Sequence, residues 1–101
     1  MSFATYFEWD IRPEGEDAFK KAWEDVTRRL LHHGLNGSAL FRTDEGHFAA
    51  LARWPSREAR DRGFAAADLE SEGAAMAQQI VQTIDRIDLE GVSDLWTWPK
   101  P

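Results

Sequence analysis

Five polar residues on or near predicted strands have side chains that could move a proton or hold an anion. Tyr6, Glu8 and His47 can donate or accept a proton, and Arg42 and Arg53 can stabilise negative charge. A base with a pKa near neutrality suits proton removal from a substrate. No two of the five have a spacing that singles them out, and Glu8 on a strand fits an interface hydrogen bond as well as a base. Tyr6, Glu8 and His47 are therefore candidate catalytic residues.

Other kinds of active site find little support in the sequence. The chain has no cysteine, which excludes disulfides, thiolate metal sites and a cysteine nucleophile. His32 and His33 are adjacent and point about 100° apart around a helix, so a role at the helix terminus is favoured over a shared metal ion. His47 has no obvious partner as a ligand. The glycine-containing stretches "EGED" and "ESEG" are acidic and would repel a phosphate.

The composition is that of a globular protein with an aromatic core. The chain of 101 residues is 43% hydrophobic and 30% charged, which fits one domain spanning residues 1–101. Five Trp and six Phe supply most of the apolar bulk beside many small alanines. Such a mixture can wall a pocket for a planar ligand, or it can be a core that alternates large and small side chains.

The charge balance argues against nucleic acid as a partner. The net charge is −6 and the isoelectric point is about 4.9, whereas phosphate binding needs a basic face. The N-terminal residues show no secretion signal, and no apolar stretch approaches the roughly 20 residues that a membrane span requires. We therefore expect a cytoplasmic protein without membrane or nucleic-acid partners.

The first half of the chain predicts a strand followed by a helix. Apolar and polar residues alternate from Phe3 to Arg12, and the sequence Pro13-Glu14-Gly15 ends this strand. An apolar stripe then follows at spacings of three and four residues, which is typical of a helix. Gly34 is expected to end the helix as a left-handed cap, with Leu35 folding back over the last turn. The stripe consists of Phe19, Ala22, Trp23, Val26 and Leu30.

The second half predicts a hairpin, a helix and a last strand. Ser38 to Thr43 and His47 to Trp54 flank a three-residue loop that ends in glycine, and Ser56 is a suitable N-cap for a helix from Arg57. We expect helix through Leu69, an interruption near Ser71-Glu72-Gly73 and a second apolar stripe of Ala77, Ile80, Val81 and Ile84. Val92 to Trp98 is expected to form the last strand. The order β-α-β-β-α-β predicts a ferredoxin-like α+β sandwich with a four-stranded antiparallel sheet.

The predicted hairpin is apolar on both sides. Helices cover only one face of such a sheet, and the other face should be polar where it meets water. The chain supplies no further element to cover it, so we expect a homodimer whose sheets pack face to face. One side of the hairpin carries Ala39, Phe41, Ala49 and Leu51, and the other carries Leu40, Phe48, Ala50, Ala52 and Trp54.

Three stretches resemble the antibiotic biosynthesis monooxygenase family of dimeric α+β barrels. "IRPEGEDAFKKAW" (Ile11 to Trp23) is similar to that family's strand, Pro-Gly turn and first helix, and "LNGSALFRTDEG" (Leu35 to Gly46) is similar to its second strand. "HFAALARWPSREA" (His47 to Ala59) is similar to the third strand with its Trp-x-Ser corner. The resemblance extends over nearly the whole chain and implies this fold. Trp54 matches the corner tryptophan, which is interpreted mainly as a packing residue.

The resemblance does not extend to the haem-degrading members of the superfamily. Those enzymes use an amide in the first strand, a tryptophan early in the second helix and a histidine late in it. The corresponding positions here hold Phe7, then Gly63 or Phe64, and the histidine-free stretch from Gly73 to Met76. The sequence therefore predicts no haem and no other cofactor.

The resemblance implies cofactor-independent monooxygenation of a small hydrophobic or aromatic molecule. Such a reaction needs an apolar pocket and a polar group that generates or stabilises the substrate anion, which then reacts with oxygen directly. The alternative is a non-catalytic dimer that binds a small hydrophobe or acts as an accessory protein. A polar group inside the pocket would separate the two. The expected pocket residues are Phe7, Trp9, Trp23, Trp54, Phe64 and Met76.

Overall fold

The computed structural model describes residues 2–96 of the chain. The strands of this part form one antiparallel sheet in the order β2-β3-β1-β4, with the helices packed on one side. This is the ferredoxin-like α+β arrangement that the sequence predicts, with the second helical segment divided in two. The elements are β1 (Phe3–Ile11), a 3₁₀ turn (Pro13–Gly15), α1 (Glu16–Leu31), β2 (Gly37–Arg42), β3 (Phe48–Trp54), α2 (Arg57–Ala66), α3 (Glu70–Ala77) and β4 (Ile80–Glu90).

Strand β1 lies inside the sheet and divides its side chains between the two faces. Phe3, Thr5, Trp9 and Ile11 are buried toward the helices, and Phe7 points the same way. The residues that alternate with them point to the opposite face. The ring of Trp9 meets that of Phe19 in α1 edge-to-face, with centroids 5.2 Å apart. The core therefore lies on the helix side of the sheet, where the alternation predicted it.

Glycines with positive φ stand at the two predicted turns. Gly46 has φ of +84°, and its amide donates to the Thr43 carbonyl at 2.9 Å in the β2–β3 hairpin. Gly34 has φ of +100° after α1, and the Leu35 amide donates to the Leu30 carbonyl at 3.1 Å. Leu30 and Leu35 then share one core cluster. Both turn predictions are confirmed.

Strand β4 corrects the prediction for residues 80–98. Ile80, Val81 and Ile84 belong to a strand, not to a helix stripe, and residues 92–96 form no strand; Thr97 and Trp98 lie outside the described residues. Two register shifts against β1 leave Val81 and Ile84 as extra residues without a partner on β1. The extra residues give the apolar positions a helix-like spacing, which hides the alternation of the strand.

The second helical segment breaks earlier than expected. Ser56 caps α2, accepting a hydrogen bond from the Ala59 amide at 3.0 Å, as predicted. The helix ends at Ala66, and α3 starts at Glu70 and runs through the expected interruption at Ser71–Gly73. Ala67 is extended at the break, with φ of −78° and ψ of 135°.

Trp54 and Gly63 set the distance between β3 and α2. Trp54 is completely buried at the end of β3, in a cluster with Phe3 and Leu30. A Cβ atom at Gly63 would lie 2.7 Å from the Trp54 ring and 2.7 Å from the carbonyl oxygen of His33. Only glycine allows this approach, so α2 lies directly over the tryptophan.

The face of the sheet away from the helices exposes large apolar side chains. Phe41 is 57% exposed, Ile87 is 44% exposed and Leu89 is 42% exposed. The strand register places these residues on the same face as Leu51 and Tyr6. We call this surface the open face. None of the helices within residues 2–96 is both long and apolar enough to cross a bilayer.

Candidate ligand cavity

A cavity of about 390 Å³ lies between the sheet and the helices. Its floor consists of residues from all four strands, and its walls come from α1, α2, α3 and the α2–α3 connection. Such a volume falls within the range of small-molecule sites. The lining residues are Phe7, Trp9, Trp23, Val26, Thr27, Leu30, Leu35, Ser38, Ala50, Ala52, Phe64, Leu69, Gly73, Met76, Ala77 and Ile80.

Aromatic rings form one side of the cavity. Phe7 and Trp9 are stacked with their ring centroids 5.2 Å apart and their planes 9° from parallel. Both rings point to the helix side, because β1 places every second residue there. Trp23 of α1 belongs to the same cluster. These flat surfaces favour a planar aromatic ligand, since rings stack in offset or edge-on arrangements.

Small side chains on α3 leave the space open. Leu69, Gly73 and Met76 follow at intervals of four and three, so they share one face of the helical segment, and this face lines the cavity. A Cβ atom at Gly73 would meet nothing within 4 Å. Position 73 is therefore where a larger side chain would fill the cavity without a clash.

Besides the indole N–H groups of Trp9 and Trp23, two hydroxyl groups are the polar side-chain groups among the described lining residues. They belong to Thr27 on α1 and Ser38 on β2. Both can donate a hydrogen bond to a ligand oxygen, but neither ionises near neutral pH. Within residues 2–96, the lining contains no acid or base that could take a proton from a ligand.

The candidate catalytic residues come together, but on the open face. The Tyr6 hydroxyl donates to Glu8 Oε1 at 3.0 Å, and His47 Nδ1 lies 2.7 Å from Glu8 Oε2. The side chains of Glu8 and His47 are mostly buried, at 15% and 19% exposed. Tyr6 and Glu8 alternate with Phe7 along β1, so they point away from the cavity, and none of the three residues lines it.

Hydrogen bonding shifts the pKa of each member of this network. The His47 contact lowers the pKa of Glu8 below its usual value, and the Tyr6 hydrogen bond lowers it further. Glu8 in turn raises the pKa of His47, because the carboxylate favours the imidazolium. The hydrogen bond that Tyr6 donates to Glu8 raises the pKa of the phenol. The network is a charge-paired cluster set in an apolar surface.

Arg42 and Arg53 are engaged with partners outside the cavity. Arg42 makes a two-pronged ion pair with Glu16 of α1, both contacts at 3.0 Å, and lies over the Phe48 ring. Arg53 pairs with Asp94 and lies 4.5 Å from the centre of the Trp96 ring. Neither guanidinium lines the cavity.

The structure brings together five of the six expected pocket residues. Phe7, Trp9, Trp23, Phe64 and Met76 line the cavity, whereas Trp54 is sealed in the core below it. Its indole nitrogen is buried without an acceptor among the described residues. Sequence reasoning missed Ile80, which it assigned to a helix, and Gly73, which it treated only as a break. The spacing of Leu69, Gly73 and Met76 was the signal that could have placed α3 on the cavity.

Metal ligation finds no support in the described part of the chain. Across residues 2–96, His, Asp and Glu side chains form no cluster of three or more that could hold an ion. His32 caps the carboxyl end of α1, and its amide donates to carbonyls of that helix. The adjacent histidines thus lie at a helix terminus, as the sequence favours.

Comparison with known proteins yields structural similarity without sequence similarity. No family model matches the sequence, and no curated protein matches it. Rv0793 from Mycobacterium tuberculosis superimposes with a TM-score of 0.80 at 14% identity, over 95% of this chain and 100% of that one. A candidate antibiotic biosynthesis monooxygenase from Caulobacter crescentus gives a TM-score of 0.78 at 20% identity, over 91% of each chain.

The chain shares the fold of solved structures described as candidate antibiotic biosynthesis monooxygenases. A mutant of SnoaB, a cofactor-independent oxygenase from Streptomyces nogalater, has this fold as well. It gives a TM-score of 0.79 at 12% identity, over 93% of this chain and 96% of that one. The resemblance inferred from the sequence is thus confirmed for the fold. Because these identities are 20% or lower, the shared fold does not establish a reaction for this chain.

Proposed function

We propose that the protein binds a small, planar, hydrophobic aromatic molecule in the cavity between sheet and helices. The observation that carries this proposal is the lining, which is apolar and aromatic except for the Thr27 and Ser38 hydroxyls. A charged or strongly hydrated ligand would lose its water there without an ionised partner. A ring system gains apolar burial and stacking against Phe7 and Trp9.

Calorimetry with a neutral probe tests the binding proposal. We expect 2-naphthylmethanol to bind with a negative heat-capacity change, which is the marker of apolar burial. The variant Gly73→Phe should lose this binding, because its ring grows from an open position into the cavity. Gly73→Ala is the matched control and should retain it. Absence of binding to the native chain, or equal binding by Gly73→Phe, would contradict the proposal.

A second candidate is cofactor-independent oxygenation of the bound molecule. It is supported by the fold shared with SnoaB, a cofactor-independent oxygenase. In such a reaction an activated, acidic ring CH₂ loses a proton to water, the carbanion adds O₂ to give a peroxide anion, and this anion takes a proton back from water to give a hydroperoxide. Loss of water then leaves a carbonyl group, so one O₂ converts CH₂ into C=O and H₂O. The hydroxyls of Thr27 and Ser38 line the cavity and can donate hydrogen bonds to the oxygen of a substrate anion.

Oxygen uptake with an anthrone tests this second candidate. We expect uptake above the buffer rate in the native chain and loss of the excess in Gly73→Phe. The catalytic roles predicted for Tyr6, Glu8 and His47 stay predictions, and their place on the open face argues against a part in the cavity. Uptake no faster than buffer, with the probe still bound, would leave the non-catalytic binding protein as the function.

We also propose that a second copy of the chain covers the open face. Phe41 at the β2 edge of the sheet and Ile87 and Leu89 at the β4 edge leave large apolar side chains in water on a single chain. Exposed apolar surface of this kind marks association sites. Sedimentation velocity should show a dimer for the native chain and a monomer for Phe41→Glu. Phe64→Glu, also at an exposed phenylalanine but on the helix side, should remain dimeric. A monomeric native chain would refute this proposal.

A location in the cytoplasm stays a prediction.

A further inference from the structure

A charged cleft adjoins the cavity between α2 and β4. It encloses about 360 Å³ and is lined by Phe7, Arg60, Asp61, Phe64 and Arg86. Phe7 and Phe64 line both spaces, so these two rings form the boundary that the cavity and the cleft share. The cleft supplies what the cavity lacks, which is cationic hydrogen-bond donors.

Arg60 is buried and held by contacts within the protein. It is 8% exposed and donates to Asp88 Oδ1 at 2.7 Å, to Asp61 at 2.9 Å and to the Thr5 hydroxyl at 3.1 Å. Asp88 also accepts from Arg57 at 2.9 Å. These contacts use Nε and Nη1 of Arg60 and engage both nearby carboxylates.

Arg86 keeps its donors available. It pairs across the sheet with Phe7, which places its side chain on the helix side, and its guanidinium lies 5.8 Å from the centre of the Phe7 ring. Its nearest carboxylate contact within residues 2–96 is Asp88 Oδ1 at 4.0 Å, beyond hydrogen-bond distance. Asp88 is already bonded to Arg60 and Arg57, so it competes weakly for Arg86.

The charged residues that line the cleft carry a net positive charge. They are Arg60, Arg86 and Asp61, so two positive charges face one negative charge. Outside the lining, Arg57 is paired with Asp88 and Glu90. Asp61 is bound to Arg60 Nε, which limits its repulsion of an incoming anion. Guanidinium groups bind planar oxygen anions through paired N–H donors.

We propose that Arg86 selects a ligand whose aromatic ring carries an anionic oxygen group, either a carboxylate or a phenolate. This inference rests on the proposed function, since the ring occupies the cavity while the anion enters the cleft across Phe7 and Phe64. Arg86 then sets specificity: it distinguishes an anionic aromatic molecule from a neutral one of the same shape.

Calorimetry with a matched pair of probes tests the role of Arg86. 2-Naphthoate and 2-naphthylmethanol share one ring system and differ in charge. We expect Arg86→Gln to weaken naphthoate binding about tenfold, as for the loss of a charged hydrogen bond, and to leave naphthylmethanol unchanged. Arg86→Lys keeps the charge but not the paired donors, so it should retain part of the naphthoate affinity. Arg28→Gln, at an exposed arginine of α1 paired with Asp25, should change neither.

Salt dependence of the native chain provides a test that needs no variant. Naphthoate affinity should fall between about 50 mM and about 500 mM sodium chloride, while naphthylmethanol affinity should not. An Arg86→Gln variant that binds both probes like the native chain, or loses both equally, would overturn the inference. If Arg86→Gln binds both probes like the native chain, the proposed function would still be supported, provided that Gly73→Phe abolishes naphthylmethanol binding. If neither probe binds the native chain, the proposed function itself fails.

Discussion

The substitution of Gly63 by alanine should destabilise the protein, although alanine favours helices. Helix propensity alone predicts a gain of about 1 kcal/mol for Gly→Ala inside a helix. At Gly63 the new Cβ would lie 2.7 Å from the Trp54 ring and 2.7 Å from the His33 carbonyl oxygen. The ring is completely buried and the carbonyl is backbone, so neither can move away easily. Overpacking of this kind costs about 1–3 kcal/mol, and we expect it to exceed the propensity gain by about 1 kcal/mol.

Gly73→Ala is the matched control for this prediction. Both glycines lie within short helices, but a Cβ at Gly73 meets nothing within 4 Å. We expect Gly73→Ala to raise the free energy of unfolding by about 0.5–1 kcal/mol. Urea unfolding of the native chain and both variants at one protein concentration measures the difference, since association would make stability concentration-dependent. Equal stability of the two variants would refute the close approach of α2 to Trp54.

Three further predictions concern the charged groups. His47→Gln should reduce the free energy of unfolding most between about pH 4.5 and 6.5. The stabilisation from the Glu8–His47 pair is lost as the pH rises through the raised pKa of His47, and it is also lost as the pH falls through the lowered pKa of Glu8. Urea titrations in which the effect of the substitution grows above pH 8 would contradict this. Asp88→Asn should cost about 2 kcal/mol, because it removes a carboxylate from the buried Arg60; a calorimetric melting temperature equal to that of Glu90→Gln, its exposed neighbour on β4, would contradict this. Glu8→Gln should leave 2-naphthylmethanol affinity unchanged, and weaker binding would show that the open face communicates with the cavity.

The sequence was sufficient to predict the elements whose signals are local. The alternation in β1, the glycine of the β2–β3 hairpin and the Ser56 cap depend on neighbouring residues, and the structure contains all three. The apolar content of both sides of the hairpin likewise indicated an open face. Each of these signals spans only a few residues, so tertiary contacts did not change it.

The features that the sequence alone could not locate depend on distant partners. Val81 and Ile84 can be recognised as bulge residues only once β4 is paired with β1. In the sequence alone, the apolar residues of β4 therefore have the spacing of a helix. Tyr6, Glu8 and His47 were recognised as chemically capable, but their separation from the cavity follows from which face of β1 the helices cover. The sequence could not predict the charged cleft. Arg86 reaches it only because the register of β4 places this residue opposite Phe7, on the helix side of the sheet.

The two bulges let β4 change face without losing its pairing with β1. Thr83 and Asp85 are two residues apart, yet Thr83 lies opposite Trp9 and Asp85 lies opposite Glu8, so they point to different faces of the sheet. Deleting Ile84 would make these two residues ordinary neighbours of an alternating strand and would leave Arg86 opposite Phe7. Loss of one residue at Val81 or Ile84 should accordingly be tolerated, as should a deletion at Glu45 in the hairpin loop.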